Sequence, residues 1–104
     1  MEDIRNNPEF KKCVFQCARR AMLENEYFLK DFLEEVVIKK YNLDDIKRLN
    51  VFLKEIFDND LFDVIMGNKT AEDYKDKYEY KFLKDIEEFS KNVRENAKKK
   101  IIKE

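Results

Sequence analysis

A chain of 104 residues holds one small domain, and a single Gly with a single Pro leaves too few turns for a β-sandwich or barrel. Hydrophobic residues at 43% and aromatics at 13% separate it from disordered sequences, and no apolar run nears the ~20 residues of a membrane span. The absence of His excludes imidazole bases, His-assisted nucleophiles and His metal sites, and the net charge of −1 divides into −5 over the first 90 residues and +4 from Lys91 to Glu104.

The opening Met1-Glu2-Asp3-Ile4-Arg5 carries acid and no apolar core, unlike a secretory signal or an Arg-rich transit peptide. With two Cys and no export signal, the expected compartment is the reducing cytoplasm. Asn7-Pro8-Glu9 reads as a helix start, with Asn as N-cap, Pro at the first helical position and an acid in the first turn. Phe10, Cys13, Val14, Cys17 and Ala18 then recur at helical spacing. The two Cys stand one turn apart. No further Cys or His completes a metal site, so they read as small buried thiols and no metal is expected. Met22, Leu29, Phe32, Leu33 and Val36 form a second apolar set out of phase with the first, which places a joint near Arg20-Ala21.

Asn42-Leu43-Asp44-Asp45 is the next N-cap signal, followed by the stripe Ile46, Leu49, Phe52, Leu53 and Ile56. Asp58-Asn59-Asp60 interrupts that pattern and caps a short helix, Leu61 to Met66, with Gly67 just past its end. Thr70-Ala71-Glu72-Asp73 has the form of a capping box. Behind it run Tyr74, Tyr78, Phe82, Ile86, Phe89, Val93, Ala97 and Ile101, one stripe that predicts a helix of about 30 residues and about 45 Å. Shorter helices cannot cover that length, so the part beyond Phe89 is expected to fray, dock on a partner or self-associate.

The spacing therefore predicts an all-α fold, a five-helix bundle with an extended C-terminal helix. Residues 1–104 form a single domain, with a core over about 8–90 and a basic C-terminal extension over about 91–104. The helices fall at 8–19, 22–39, 43–57, 60–66 and 71–97. The predicted core is Phe10, Val14, Leu29, Phe32, Leu33, Val36, Leu49, Leu53, Ile56, Leu61, Ile65, Tyr78, Phe82 and Ile86.

The stretch Arg19-Arg20-Ala21-Met22-Leu23-Glu24 concentrates donors and an acid at the joint between two helices. Arginine recognises planar carboxylates and phosphates through its donor fork. The alternative is a local ion pair of Arg20 with Glu24 at i,i+4, worth a few tenths of a kcal/mol. On either reading both side chains lie on the surface and contribute about 0.5 kcal/mol or less to stability.

Arg20-Ala21-Met22-Leu23-Glu24 resembles the Arg-Gly-x-x-Glu motif of the succinate dehydrogenase FAD assembly factors, the flavinylation factors, whose usual form is Arg-Arg-Gly-Met-Leu-Glu. The likeness extends over about residues 8 to 90. Leu29, Phe32 and Leu33 look like the family's second helix. Leu49 and Leu53, then Asp58-Asn59-Asp60-Leu61 through Met66-Gly67, resemble its third helix and its Asp-x-Asp-Leu segment ending in Met-Gly. Ala21 stands where the family has Gly, and Val64 where it commonly has Trp; the basic tail lies outside the likeness.

The resemblance implies a bacterial cytoplasmic assembly factor that is not an enzyme and holds no cofactor of its own. Its partner would be the flavoprotein subunit of succinate dehydrogenase or fumarate reductase, on which it promotes covalent attachment of FAD to a histidine. Arg20 and Glu24 would be the partner-binding residues, with Arg19 beside them and Ala21 allowing the partner's backbone to approach. Two other readings are a helical adaptor unrelated to flavin and a nucleic-acid binder using Lys98 to Lys103. The acidic first 90 residues weigh against the latter, so no nucleic-acid partner is expected.

Overall fold

In the computed structural model of this chain, residues 4–102 are described by their backbone and residues 4–96 also by their side chains. Among the described residues five helices follow one another: α1 (Pro8–Ala18), α2 (residues 23–40), α3 (Leu43–Glu55), α4 (Asp58–Met66) and α5 (Tyr80–Ile102). A 3₁₀ turn, Ile4–Asn6, precedes α1, and a second, Ala71–Tyr74, separates α4 from α5. Among the described residues there is no strand. The all-α five-helix architecture is the one the spacing predicts.

Local chemistry sets the helix starts. Asn7 caps α1 by accepting from the Glu9 amide at 2.9 Å, with Pro8 in the first turn. Asn42 and Asp45 form a reciprocal capping box at α3: the Asp45 amide donates to Asn42 Oδ1 at 2.8 Å and the Asn42 amide to Asp45 Oδ2 at 3.3 Å. α2 widens into a π turn over Leu33–Val37, where the Ile38 amide reaches back five residues to the Leu33 carbonyl, and it still buries Leu33, Val36 and Val37. α4 ends at Gly67, whose φ of +83° is the left-handed cap that favours Gly.

One hydrophobic core draws on all five helices. α1 packs on α3 through Phe10, Cys13 and Cys17. Beside this seam, Asn50 spans the two helices through polar bonds. It accepts from Gln16 Nε2 at 3.0 Å and donates to the Glu9 carbonyl and carboxylate at 3.0 and 3.1 Å. The hydrogen bond with Cys13 and then burial push the Cys17 thiol well up, and both buried cysteines pack as small apolar side chains. Phe32 sits amid Phe28, Tyr41 and Phe89, and Phe82 between Tyr41 and Phe52. Thirteen of the fourteen predicted core residues are buried; Val14, at 40% exposure, is not. α1 turns only one side to α3, and Val14 falls at the edge of that contact, in a groove facing α2.

The last helix differs from expectation at its start, which is Tyr80 rather than residue 71. The Thr70–Asp73 capping box does form, but it caps only the 3₁₀ turn. In an unbroken helix residues 71 and 87 would lie about 24 Å apart, whereas the Ala71 amide donates to Glu87 Oε1 at 3.0 Å. The turn therefore folds back along α5. Asp60 holds it there, accepting from Tyr78 Oη at 2.7 Å, Lys77 Nζ at 3.1 Å and Tyr74 Oη at 3.3 Å. These polar anchors capture two tyrosines that the apolar spacing assigns to the helix. With 23 residues, α5 runs about 35 Å. Its packing reaches past Phe89 to the buried Ser90 and to Arg94, which donates to the Ile65 carbonyl at the end of α4. Val93 is exposed, and the expected stripe positions Ala97 and Ile101 lie outside the described side chains.

Candidate functional site

The joint between α1 and α2 comprises residues 19–22. Arg19 closes α1 with φ −116° and ψ 47°, and Met22 opens α2 in extended conformation without a side-chain cap. The joint contains no Gly or Pro. What shapes it lies elsewhere in the chain, at the junction of α3 and α4.

Arg20 turns inward to that junction. Its Nε donates to Asp58 Oδ1 at 2.7 Å, its Nη1 to the Leu53 carbonyl at 2.7 Å and its Nη2 to the Ile56 carbonyl at 3.0 Å. Helix α3 ends at Glu55, so these carbonyls belong to its C-terminal turn, where acceptors lack intrahelical donors and partial negative charge accumulates. Asp58 occupies the first turn of α4, where partial positive charge favours a carboxylate. One guanidinium thus satisfies the end of one helix and pairs with an acid at the start of the next. Its side chain is 8% exposed and that of Asp58 17%.

Asp58 is the hub of this arrangement. Besides Arg20 it accepts from the Ala21 amide through Oδ2 at 2.8 Å and from Asn25 Nδ2 through Oδ1 at 3.1 Å. Burial alone would raise its carboxyl, but the Ala21 amide, Arg20 and Asn25 outweigh burial and hold it below the usual carboxylate range. Asn25 is fully buried and also donates to the Asp58 carbonyl at 3.0 Å, while its Oδ1 has no partner among the described residues.

The alternative i,i+4 pair of Arg20 with Glu24 is not formed, because Asp58 and two helix-end carbonyls offer the guanidinium a better-matched and less exposed set of acceptors. Arg20 is a buried structural group rather than a surface one. The other three motif residues, Arg19, Ala21 and Glu24, are exposed. Arg19 lies over the ring of the exposed Phe15, 4.6 Å from its centroid. Next to the joint, a groove of about 310 Å³ between α1 and α2 is lined by Val14, Cys17, Ala18, Tyr27 and Leu33, with Glu26 and Lys30. Among the described residues no three His, Cys, Asp or Glu converge on a metal-sized site, and no helix is long and apolar enough to cross a membrane.

The family model described as flavinator of succinate dehydrogenase matches residues 11–89, a span that holds the joint, the Asp58 hub and Gly67. The chain belongs to this family. No curated protein and no solved structure matches it. Within the flavinator span the Arg-Ala-x-x-Glu sequence and the Asp-x-Asp-Leu segment, 38 residues apart at Arg20 and Asp58, meet in space. Both segments are visible in the sequence, but nothing in their spacing joins them. An acid in the first turn of a helix was the available signal. The Leu53 and Ile56 carbonyls that complete the arginine's surroundings carry no side-chain identity to read.

Proposed function

We propose that this chain is an assembly factor rather than an enzyme. It binds the flavoprotein subunit of succinate dehydrogenase, or that of fumarate reductase, in the cytoplasm of a bacterium and promotes covalent attachment of FAD. Family membership across residues 11–89 carries this reading. In it, Arg19, Ala21 and Glu24 form the client-facing edge and Arg20 is its buried base.

The flavin and the flavoprotein histidine supply the bond-forming chemistry, at the 8α-methyl carbon. The assembly factor contributes position: it holds the client so that histidine and isoalloxazine ring meet in a reactive orientation. This division of labour suits a chain with no His and with one Gly, which caps α4 beneath Arg94 and is not part of a phosphate-binding loop. On this reading FAD belongs to the client.

The test is covalent-flavin fluorescence. Apo-flavoprotein and FAD are incubated with and without this protein, then run on a denaturing gel. A fluorescent flavoprotein band that depends on the added protein is the expected result. Equal bands in both lanes reject the reading.

A further inference from the structure

The geometry points to Asp58 as the positioning residue of the client-facing joint, fixing the orientation in which Arg19, Ala21 and Glu24 are presented. This rests on the client-binding reading above. Residues 19–22 have none of the usual local devices: no Gly, no Pro and no side-chain cap at Met22. The joint's long-range ties converge on the α3–α4 junction, and Asp58 takes up both faces of it. Its Oδ1 meets Arg20 within the joint and Asn25 in the first turn of α2, while its Oδ2 meets the Ala21 peptide itself. The Ala21 amide thus has its protein acceptor in Asp58, although the residue itself is exposed. Because the two oxygens serve different donors, an amide in place of the carboxylate can satisfy only one side. Asp58→Asn therefore releases either Ala21 or the Arg20–Asn25 pair without changing side-chain size.

The experiment compares Asp58→Asn with Asp60→Asn, two residues along the same helix. Asp60 anchors Tyr74, Lys77 and Tyr78 and does not touch the joint. Three quantities are measured well below each variant's melting temperature: Kd for the succinate dehydrogenase flavoprotein subunit, the hydrogen-exchange rate of the Ala21 amide, and thermal stability. Asp58→Asn is expected to weaken client binding and to speed Ala21 exchange by about tenfold or more, the scale of one lost hydrogen bond to a charged group. Asp60→Asn is expected to lower the melting temperature while leaving Kd within about twofold, the scale of a change remote from the contact surface.

Wild-type Kd in folded Asp58→Asn, or equal losses in both variants, overturns the positioning role. Should Asp58→Asn not fold, the wild-type protein decides: an Ala21 amide exchanging at its free-peptide rate overturns the proposal, and strong protection supports it. Failure of the client reading has a different signature, in which Ala21→Arg and Glu24→Ala bind the flavoprotein as wild type does.

Discussion

Replacing Arg20 with Ala tests the reassignment of this residue from surface to interior. The change removes the 2.7 Å pair with Asp58 and the donors to the Leu53 and Ile56 carbonyls, and it leaves an acid that is only 17% exposed without its cation. Breaking a buried pair by removing one partner costs about 3–5 kcal/mol. Asp58 retains the Ala21 and Asn25 bonds and some access to water, so the low end applies, about 3 kcal/mol. For a domain of this size that is a fall of about 12–24 °C in melting temperature. Urea unfolding followed by circular dichroism at 222 nm measures it directly. Arg20→Lys keeps the charge but cannot reach three acceptors with a planar fork, so it should fall between wild type and Ala. Glu24→Ala, at an exposed position, should stay within about 0.5 kcal/mol of wild type. A loss below about 0.5 kcal/mol for Arg20→Ala as well would mean that the inward geometry contributes nothing and that Arg20 is an ordinary surface charge.

Acid should unfold the protein through the α4 N-terminus. Asp58 and Asp60 are both held below the usual carboxylate range, Asp60 chiefly by the Tyr78 hydroxyl, so their stabilisation is present above about pH 4 and lost as pH falls through their folded values. The urea midpoint should therefore drop steeply below pH 4 in wild type and less steeply in Asp60→Asn, and parallel profiles would refute the assignment. Gly67→Ala should cost about 1–2 kcal/mol in urea unfolding, because φ is +83° and the new methyl would stand 3.1 Å from the Arg94 guanidinium. Deleting residues 98–104 should leave the melting temperature nearly unchanged, since chain ends tolerate truncation best. A large drop would show that the tail is packed.

The elements legible in the sequence are those fixed by near neighbours. Asn7-Pro8, the Asn42–Asp45 box and Gly67 each declare a helix end within four residues, and the core stripes of α2 and α3 follow from 3.6-residue spacing. The misread features are decided over longer distances. Tyr74 and Tyr78 continue the apolar stripe of α5, yet their hydroxyls bond an acid 14 and 18 residues back, and the chain turns to let them. Val14 matches Phe10 and Cys17 in spacing, but it falls at the edge of the α1–α3 contact, where a groove opens toward α2. At the joint, Glu24 and Asp58 are both acids available to Arg20. Periodicity favours the nearer one, while helix-end carbonyls favour the farther, and no pattern of side chains reveals where such carbonyls lie.

Ala21 tests the proposed role of the motif's small residue. A glycine can be required by a left-handed backbone or by close approach from outside, and the two make opposite demands. Among the described residues only Gly67 has positive φ, so residue 21 lies in a region open to any L-residue and its methyl causes no backbone strain. Its amide is satisfied by Asp58 and its side chain is exposed. Conformation therefore does not demand a small residue at this position, and the client-facing reading proposed above assigns it to access at the surface. Ala21→Gly should lower stability by about 0.4–1 kcal/mol through unfolded-state entropy, with client flavinylation retained. Ala21→Arg should leave urea unfolding within about 0.5 kcal/mol of wild type while abolishing flavinylation of the client, because the added side chain occupies space the client's backbone needs. Full flavinylation by Ala21→Arg, at wild-type stability, would show that nothing approaches residue 21 and that the client docks elsewhere on the bundle.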